Sequence, residues 1–338
     1  MTNKLEKVTE LLSPEIDKKL RQVVSQVNDS EHKELYRMLA YQMGWEGEGA
    51  GSDARGKRIR PLLVLLTTAS AGGNWQNALP AAAAIELIHN FTLIHDDIED
   101  NSEYRRGRPT VWKKWGIPQA INSGDTMFTL ANLVILEIDE GQSHTSLKAS
   151  KILQQTCLRL TQGQFLDLSY ENRSSITADD YWSMIGGKTA ALIGASAELG
   201  ALIAGVDELK REHYKNFGIS LGLAFQIQDD LLGIWGDEEI TGKSTESDLV
   251  AGKKSLPVIF GLNNQAEFSS HWTKGPIKPE EVLEIAKLLE DEGAREYTQD
   301  FVNLYTQKAL TSIHNAKPEG IFGEALIELA YQLLHREK

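Results

Sequence analysis

Residues 81–100 read AAAAIELIHNFTLIHDDIED, an almost wholly apolar run that ends in a group of carboxylates. Its length and the absence of turn residues predict an α-helix, and a helix that is apolar on nearly all sides lies at the centre of a bundle. Asp96, Asp97 and Asp100, here called the first acidic cluster, close this helix. Asp96 and Asp100 are four residues apart and share a face. Folding alone gives little reason to gather carboxylates there.

Helical spacing of apolar residues continues along most of the chain. Residues 5–12 form an apolar stripe, and residues 190–204 are a second run that is apolar on nearly all sides. Thr177 precedes Asp180 by three residues, which is the spacing of a helix capping box. Strand-like alternation is rare. The sequence therefore predicts an all-α fold.

The predicted fold is one large helical bundle around a central cavity. No Pro- or Ser-rich linker divides the 338 residues, so we expect a single domain over residues 1–338. Residues 1–45 are expected to form an amino-terminal helical region packed on the bundle.

Charge and cysteine content exclude several classes of protein. The net charge of −13 leaves no broad basic face for a nucleic-acid backbone, so no nucleic-acid partner is expected. Cys157 is the single cysteine, which excludes an intrachain disulfide. The amino terminus is unlike a signal peptide, and no apolar run is long enough to span a bilayer. We therefore expect a cytoplasmic protein that is not an integral membrane protein.

Basic side chains accompany the first acidic cluster. Arg105 and Arg106 follow it, and Lys57 and Arg60 flank a predicted helix start. Arginine grips phosphate oxygens with two parallel hydrogen bonds, and a helix amino terminus favours anions. His89 lies two helical turns before the cluster and points to its side, although such a histidine is often an ordinary core residue. Carboxylates that bind Mg²⁺ beside cations that bind phosphate indicate a metal-bound diphosphate. The alternative is a solvated helix end.

A second acidic pair, Asp229 and Asp230, ends another apolar helix. We expect it to hold a further magnesium ion on the opposite wall of the cavity, with Lys243 and the Lys253-Lys254 pair neutralising a leaving diphosphate. Lys188 follows a pair of glycines that loosens its helix at a cost of about 2 kcal/mol relative to alanine. A ligand contact and a simple helix join are equally good interpretations of that segment.

Taken in order, these segments resemble the trans-isoprenyl diphosphate synthase (polyprenyl synthetase) family. The resemblance covers roughly residues 50–265, and the order of its motifs is highly specific. The matching motifs are Gly56-Lys57-Arg58-Ile59-Arg60-Pro61, His89 with Leu93-Ile94-His95-Asp96-Asp97-Ile98-Glu99-Asp100, Arg105-Arg106-Gly107-Arg108-Pro109-Thr110, Gly187-Lys188-Thr189, Phe225-Gln226-Ile227-Gln228-Asp229-Asp230 and Gly236-Asp237 through Gly242-Lys243.

The resemblance implies an isoprenoid synthase fold and a magnesium-dependent prenyltransferase with about three ions per active site. The metal would be bound by Asp96, Asp97, Asp100, Asp229 and Asp230. Isopentenyl diphosphate would be held by Lys57, Arg60, His89 and Arg106. The allylic diphosphate would be contacted by Arg105, Lys188 and Lys243, with Lys253 as a further basic contact. Thr189 and Gln226 would face the allylic carbocation, and the family implies a homodimer.

Product length is predicted from the residues before the first acidic cluster. Phe91 and Thr92 lie five and four residues before Asp96, about one turn below it. In this family an aromatic residue at that level closes the chain-elongation tunnel, so the pattern favours geranylgeranyl diphosphate. Farnesyl diphosphate and longer products remain alternatives, with partner helices forming the floor instead. Gly233 stands where many members have a third aspartate, which leaves a role for a third carboxylate in doubt.

Two other functions compete with prenyl transfer. A terpene cyclase shares the fold and an acidic cluster, but it carries a different metal motif on its later helix. A non-catalytic helical subunit of a synthase would be favoured by loss of the aspartates, and they are present here.

Overall fold

The computed structural model describes residues 3–138, 143–171, 173, 176–236 and 246–334. Most of these residues are helical, which confirms the all-α prediction. The α-helices are α1 Lys4–Val24, α2 Lys33–Gln42, α3 Ser52–Arg55, α4 Ile59–Ser70, α5 Leu79–Glu99, α6 Val111–Trp115, α7 Ile117–Val134, α8 Ser143–Glu171, α9 Ala178–Ile185, α10 Ala191–Ala204, α11 Glu208–Trp235, α12 Glu246–Val250, α13 Leu256–Asn264, α14 Glu267–Trp272, α15 Val282–Asp291, α16 Ala294–Ala316 and α17 Gly320–Leu334. A π-helical turn, Gly186–Ala190, lies between α9 and α10.

Two compact units make up the chain, and neither is a continuous stretch of sequence. The first unit comprises Met1–Cys157, Ala195–Glu212 and Lys317–Leu326. The second unit comprises Leu158–Gly194, His213–Ala316 and Ile327–Lys338. A single domain over residues 1–338 therefore stays a prediction.

Helix α5 is the centre of the first unit. Its residues 81–88 are all buried, as the apolar run predicts, and α5 packs against α1, α4 and α7. The predicted amino-terminal helix α1 buries one complete face, including Leu12 and Leu20, against these helices. A Cβ at Gly200 would lie 2.5 Å from the carbonyl oxygen of Val64, so this glycine permits close packing on α4. Close packing of α1, α4 and α7 therefore surrounds α5.

The second unit has two apolar clusters. One joins α9, α11 and α13 through buried Tyr181, Ile227 and Leu256. The other surrounds fully buried Phe268. Helix α13 packs against α16 and α9. Ile227 of the first of these clusters and Asp230 of the second acidic pair are both buried residues of α11.

A short β-hairpin follows the first acidic cluster. Strands β1 Tyr104–Arg105 and β2 Arg108–Pro109 pair antiparallel, with Arg105 opposite Arg108. The two turn residues have positive φ, 52° at Arg106 and 71° at Gly107, which is the pattern of a type I′ turn. Two-residue strands are too short to produce a visible alternation in sequence. This is why sequence analysis found no strand here.

The predicted capping box at Thr177 is present at the start of α9. The Thr177 hydroxyl accepts from the amide of Asp180 at 3.1 Å, and the Asp180 carboxylate accepts from the amide of Thr177 at 3.0 Å. Two amide groups that helix geometry leaves unpaired are thus satisfied.

Thr177→Ala is expected to lower the free energy of unfolding by about 1 kcal/mol, because the first turn of α9 loses its side-chain acceptor. Urea denaturation measures this change. Thr177→Ser keeps the hydroxyl and serves as the control. Equal stability of the alanine and serine variants would show that the cap contributes nothing.

Candidate active site

A basic group in the first unit is built on two unusual backbone positions. Gly56 has φ +68° and Arg58, which precedes α4, has φ 45°. A Cβ at Gly56 would lie 2.6 Å from Nη2 of Arg106, so glycine lets this guanidinium reach the loop. Arg106 also donates from Nη1 to the carbonyl of Ala54 at 2.8 Å. The segments carrying Lys57 and Arg106 are therefore adjacent.

His89 joins this basic group as a neutral base. Arg60 Nη1 lies 3.3 Å from Nε2 of His89, and an arginine only donates, so Nε2 is the acceptor. Desolvation, reinforced by the positive charges of Arg60, Arg106 and Arg105, holds the pKa of His89 well below its usual range. The imidazole therefore carries its proton on Nδ1 at neutral pH.

Glu86 is a member of this site that sequence analysis missed. It lies one turn before His89 on α5 and is 3% exposed. Its Oε1 accepts from Nδ2 of Asn90 at 3.1 Å. Burial raises the pKa of Glu86, while the charges of Arg58, Arg60 and Arg106 oppose that rise. Glu86 is thus a buried titratable group beside the arginine group. The feature of the sequence that could have identified Glu86 is that it is a glutamate within an otherwise apolar run.

The amino-terminal region supports the basic group from outside. Asp17 on α1 accepts from Nη1 of Arg58 at 2.6 Å and from Nε1 of Trp45 at 2.9 Å. Buried Arg108, one residue past the hairpin turn, donates to the carbonyls of Tyr41, Glu46 and Glu48. Arg108 therefore holds the end of α2 and the glycine-rich loop, residues 43–51, that follows it.

In the first acidic cluster, one carboxylate is buried and bonded to an arginine, and the other two are more exposed to solvent. Asp97 is 2% exposed and accepts from Nε of Arg105 at 2.8 Å. Burial raises the pKa of Asp97, and the charge of Arg105 opposes that rise. Asp100 is exposed at the helix end, and Asp96, on the same face, is partly exposed.

This arrangement fits magnesium bound together with a diphosphate. Within the described ranges, no three His, Cys, Asp or Glu side chains are already gathered as a metal cage. Magnesium usually takes one or two protein carboxylates and completes its octahedron with water and substrate phosphate oxygens. Asp96 and Asp100 offer that set, with Arg105 beside them to meet the phosphate. The predicted metal role of Asp97 stays a prediction.

Phe91 lies in an aromatic group one turn below the cluster. Its ring centroid is 4.8 Å from that of His95 and 5.3 Å from that of Phe128 on α7. Thr92 donates its hydroxyl to the carbonyl of His89 at 2.8 Å. Phe128 is a second aromatic residue at this level, and sequence analysis did not identify it because contacts between helices are not visible in sequence spacing.

In the second unit, Lys188 lies on the π-helical turn, a local widening of the helix that often marks functional sites. Glycine at this turn permits its close approach to α8. A Cβ at Gly187 would lie 2.6 Å from the carbonyl oxygen of Arg159, and a Cβ at Gly163 would lie 2.7 Å from the carbonyl carbon of Gly187. Lys188 Nζ forms an ion pair with Asp167, one turn after Gly163 on α8. Helix α8 therefore fixes both the backbone and the ammonium of Lys188.

Thr189 and Gln226 meet, as the predicted roles require. Thr189 Oγ1 donates to Oε1 of Gln226 at 2.7 Å, and Nε2 of Gln226 donates to Oδ1 of Asp230 at 3.0 Å. Asp230 is 2% exposed, and Tyr181 donates its hydroxyl to Oδ2 at 2.8 Å. Asp229, the preceding residue, is partly exposed.

Lys253 lies among carboxylates, whereas its neighbour Lys254 does not. Despite desolvation, the charges of Asp230 and Asp248 raise the pKa of Lys253, and Asp248 lies 3.7 Å from its Nζ. Lys254 donates to the carbonyl of Glu171 at 2.8 Å and so caps α8. A side chain at Gly233 would overlap the carboxylate of Asp248, which occupies the space of the absent third aspartate. Lys243 lies outside the described residues.

Comparison with known proteins decides the family. The model of the polyprenyl synthetase family matches residues 50–290. The chain belongs to this family. It is 36% identical over 324 residues to a geranylgeranyl diphosphate synthase of Mycobacterium tuberculosis, covering 93% of this chain and 90% of that protein. A (2E,6E)-farnesyl diphosphate synthase of the same species is 40% identical over 270 residues, which cover 77% of this chain and 74% of that protein.

The fold of this polyprenyl synthetase family member is shared with solved structures. Geranylgeranyl pyrophosphate synthetase from Pyrococcus horikoshii superposes with a TM-score of 0.89 at 32% identity, covering 99% of this chain and 98% of that one. The predicted isoprenoid synthase fold is thereby confirmed. None of the helices in the described ranges has the length and apolarity needed to cross a membrane.

Gly163→Ala tests how the π-helical turn of this family member is held. The added Cβ would force α8 away from Gly187, so we expect a loss of about 1–3 kcal/mol in the free energy of unfolding. Displacement of Lys188 should also weaken binding of inorganic diphosphate with Mg²⁺ by about tenfold, or about 1.4 kcal/mol. Denaturant unfolding and isothermal titration calorimetry measure the two effects.

Gly186→Ala is the matched control for this variant. Apart from its chain neighbours and the backbone of its own helix, no heavy atom lies within 4 Å of a Cβ at that position. The free energy of unfolding should therefore stay the same or rise by up to about 1 kcal/mol, and diphosphate binding should stay close to that of the parent protein. Equal behaviour of the two alanine variants would contradict the proposed constraint.

Proposed function

We propose that the protein is a magnesium-dependent trans-prenyltransferase. It condenses isopentenyl diphosphate with an allylic diphosphate, head to tail, and releases a short-chain all-trans prenyl diphosphate, geranylgeranyl diphosphate in the first place. The observation that carries the proposal is the single site built around the end of α5. A neutral His89 inside an arginine group there adjoins a carboxylate cluster whose Asp97 pairs with Arg105.

The basic group of the first unit is assigned to isopentenyl diphosphate. Lys57, Arg60 and Arg106 supply cationic donors, and arginine matches phosphate oxygens with two parallel hydrogen bonds. His89 is neutral before the anion arrives, and its Nδ1 proton is available for donation.

The allylic diphosphate is assigned to the acidic clusters and to Arg105, Lys188, Lys243 and Lys253. Asp96, Asp97 and Asp100 on α5 and Asp229 on α11 are the proposed magnesium ligands. When bound, magnesium neutralises charge that develops on the departing diphosphate. Arg105 and the lysines add fixed positive charge where the leaving oxygen carries its new electron pair.

Carbon–carbon bond formation follows from loss of that diphosphate. The allylic carbon–oxygen bond breaks and its electrons leave with the diphosphate, so a carbocation remains. Thr189 and Gln226 turn oxygen dipoles towards this cation. The double bond of isopentenyl diphosphate then supplies the electrons of the new carbon–carbon bond, and the released diphosphate accepts the proton that is lost. No side-chain nucleophile is required.

Geranylgeranyl diphosphate is proposed as the product because Phe91 lies one turn below the first acidic cluster and contacts Phe128. Two aromatic rings limit the depth that a growing chain can enter. Farnesyl diphosphate is the alternative product, since relatives of both names match the chain. A cytoplasmic homodimer is proposed on the same family likeness.

A synthase assay separates prenyl transfer from a terpene cyclase and from a non-catalytic subunit. Purified protein is incubated with Mg²⁺, isopentenyl diphosphate and each allylic primer, and products are measured by chromatography. A twenty-carbon diphosphate is expected. A cyclic hydrocarbon would identify a cyclase, and no condensation with any primer would reject the enzyme.

Asp96→Ala is expected to reduce turnover by at least about 1,000-fold, because the proposed metal site loses a carboxylate on its accessible face. Steady-state rates at saturating substrates measure the loss, and circular dichroism checks folding. Asp291→Ala, at an exposed position in α15, is the control. A near-normal rate for the Asp96 variant would exclude the metal role.

Phe91→Ala is expected to lengthen the products by one or more five-carbon units, because the floor loses an aromatic ring. Product chain length is measured with the same primers. Phe165→Ala, which removes a 69% exposed ring, is the control. An unchanged product profile would show that Phe91 does not set the length.

A further inference from the structure

A polar chain runs through the second unit from Thr189 to the start of α13. Thr189 Oγ1 contacts Oε1 of Gln226 at 2.7 Å, and Nε2 of Gln226 contacts Oδ1 of Asp230 at 3.0 Å. Oδ2 of Asp230 accepts from the hydroxyl of Tyr181 at 2.8 Å and from the amide of Leu256 at 3.0 Å. Leu256 is the first residue of α13, so Asp230 also satisfies an amide at that helix amino terminus.

The hydrogen bonds of this polar chain can be given directions, starting from the bond between Leu256 and Asp230. A backbone amide only donates and a carboxylate accepts, so Asp230 must be the acceptor for Leu256. Burial raises the pKa of Asp230, while the charge of Lys253 and the amide of Leu256 oppose that rise. With Asp230 ionised, Oδ1 accepts as well, so Gln226 turns its amide nitrogen to Asp230 and its amide oxygen to Thr189. Thr189 must then donate its hydroxyl hydrogen to Gln226. The lone pairs of the Thr189 oxygen are left for whatever lies on its other side.

The same contacts leave little room for a metal on Asp230. Two carboxylate oxygens offer about four acceptor positions, and the three protein donors named above fill three of them, including both on Oδ2. Magnesium demands near-octahedral geometry and keeps several waters, which a carboxylate enclosed in this way does not accommodate.

We infer that Asp230 is a positioning residue and does not ligate magnesium. Asp230 fixes the orientation of the Gln226 side-chain amide. That amide fixes the orientation of the Thr189 hydroxyl, so that the lone pairs of the Thr189 oxygen face the allylic cation. This inference rests on the proposed function. It replaces the metal role that sequence analysis assigned to Asp230.

Asp230→Asn should keep the hydrogen bonds of the polar chain but exchange donor and acceptor between residues 230, 226 and 189. The asparagine oxygen would accept from Tyr181 and Leu256, and its nitrogen would donate to Gln226. Gln226 must then flip, and the Thr189 hydroxyl becomes an acceptor whose hydrogen faces the cation. A preorganised dipole is thereby inverted, so kcat should fall by about 100-fold with little change in KM.

Asp230→Asn combined with Gln226→Glu tests the direction itself. The introduced asparagine would donate to the new carboxylate, which accepts from Thr189 as Gln226 does, so the net charge and the direction at Thr189 are both restored. We expect the double variant to recover at least about tenfold in kcat. In a Thr189→Ala background, Asp230→Asn should cost less than about threefold, since the residue it acts through is absent.

Calorimetric titration of inorganic diphosphate with Mg²⁺ gives a readout that does not depend on turnover. Asp230→Asn should bind within about twofold of the parent, whereas Asp229→Asn should bind at least about tenfold more weakly. Weaker binding in Asp230→Asn, or no recovery in the double variant, would overturn the inference. If the parent protein binds diphosphate but transfers no prenyl group, the proposed function fails while the binding comparison still decides the role of Asp230.

Discussion

Positive charge held away from water is the constraint on which the first unit depends. Desolvating an ion costs several kcal/mol unless acceptors inside the protein replace its water. Here the acceptors are Asp17 for Arg58, Asp97 for Arg105 and backbone carbonyls for Arg108. These partners come from α1, α5 and the glycine-rich loop, so the elements around the site are joined by the need to balance charge.

The second unit meets the opposite constraint, a carboxylate held away from water. Asp230 is stabilised by donors from α9, α11 and the start of α13, and its charge influences Lys253. The buried carboxylate of Asp230 therefore connects three helices, whatever its chemical role. The polar residues beneath a catalytic surface therefore also stabilise the fold that carries them.

The sequence predicted the elements whose signals are local. The apolar run of α5 and the capping box at Thr177 both follow from spacing along one helix or one loop, whereas the association of His89 with basic residues of other elements came from the family resemblance. Glu86, Asp17 and Asp167 were not predicted, because each acts on residues that are distant in sequence. The role of Gly233 was also not predictable, since the carboxylate of Asp248 reaches its space from another helix.

Helix α8 contacts the π-helical turn twice, with Gly163 on its backbone and Asp167 on the Lys188 ammonium. The two positions are one helical turn apart and share a face. Inserting or deleting one residue between them would rotate Asp167 by about 100° and break the second contact. The segment can thus tolerate many changes of side chain at its other positions but none in length. Among related sequences, alignment gaps should be absent between these two residues even where identity is low.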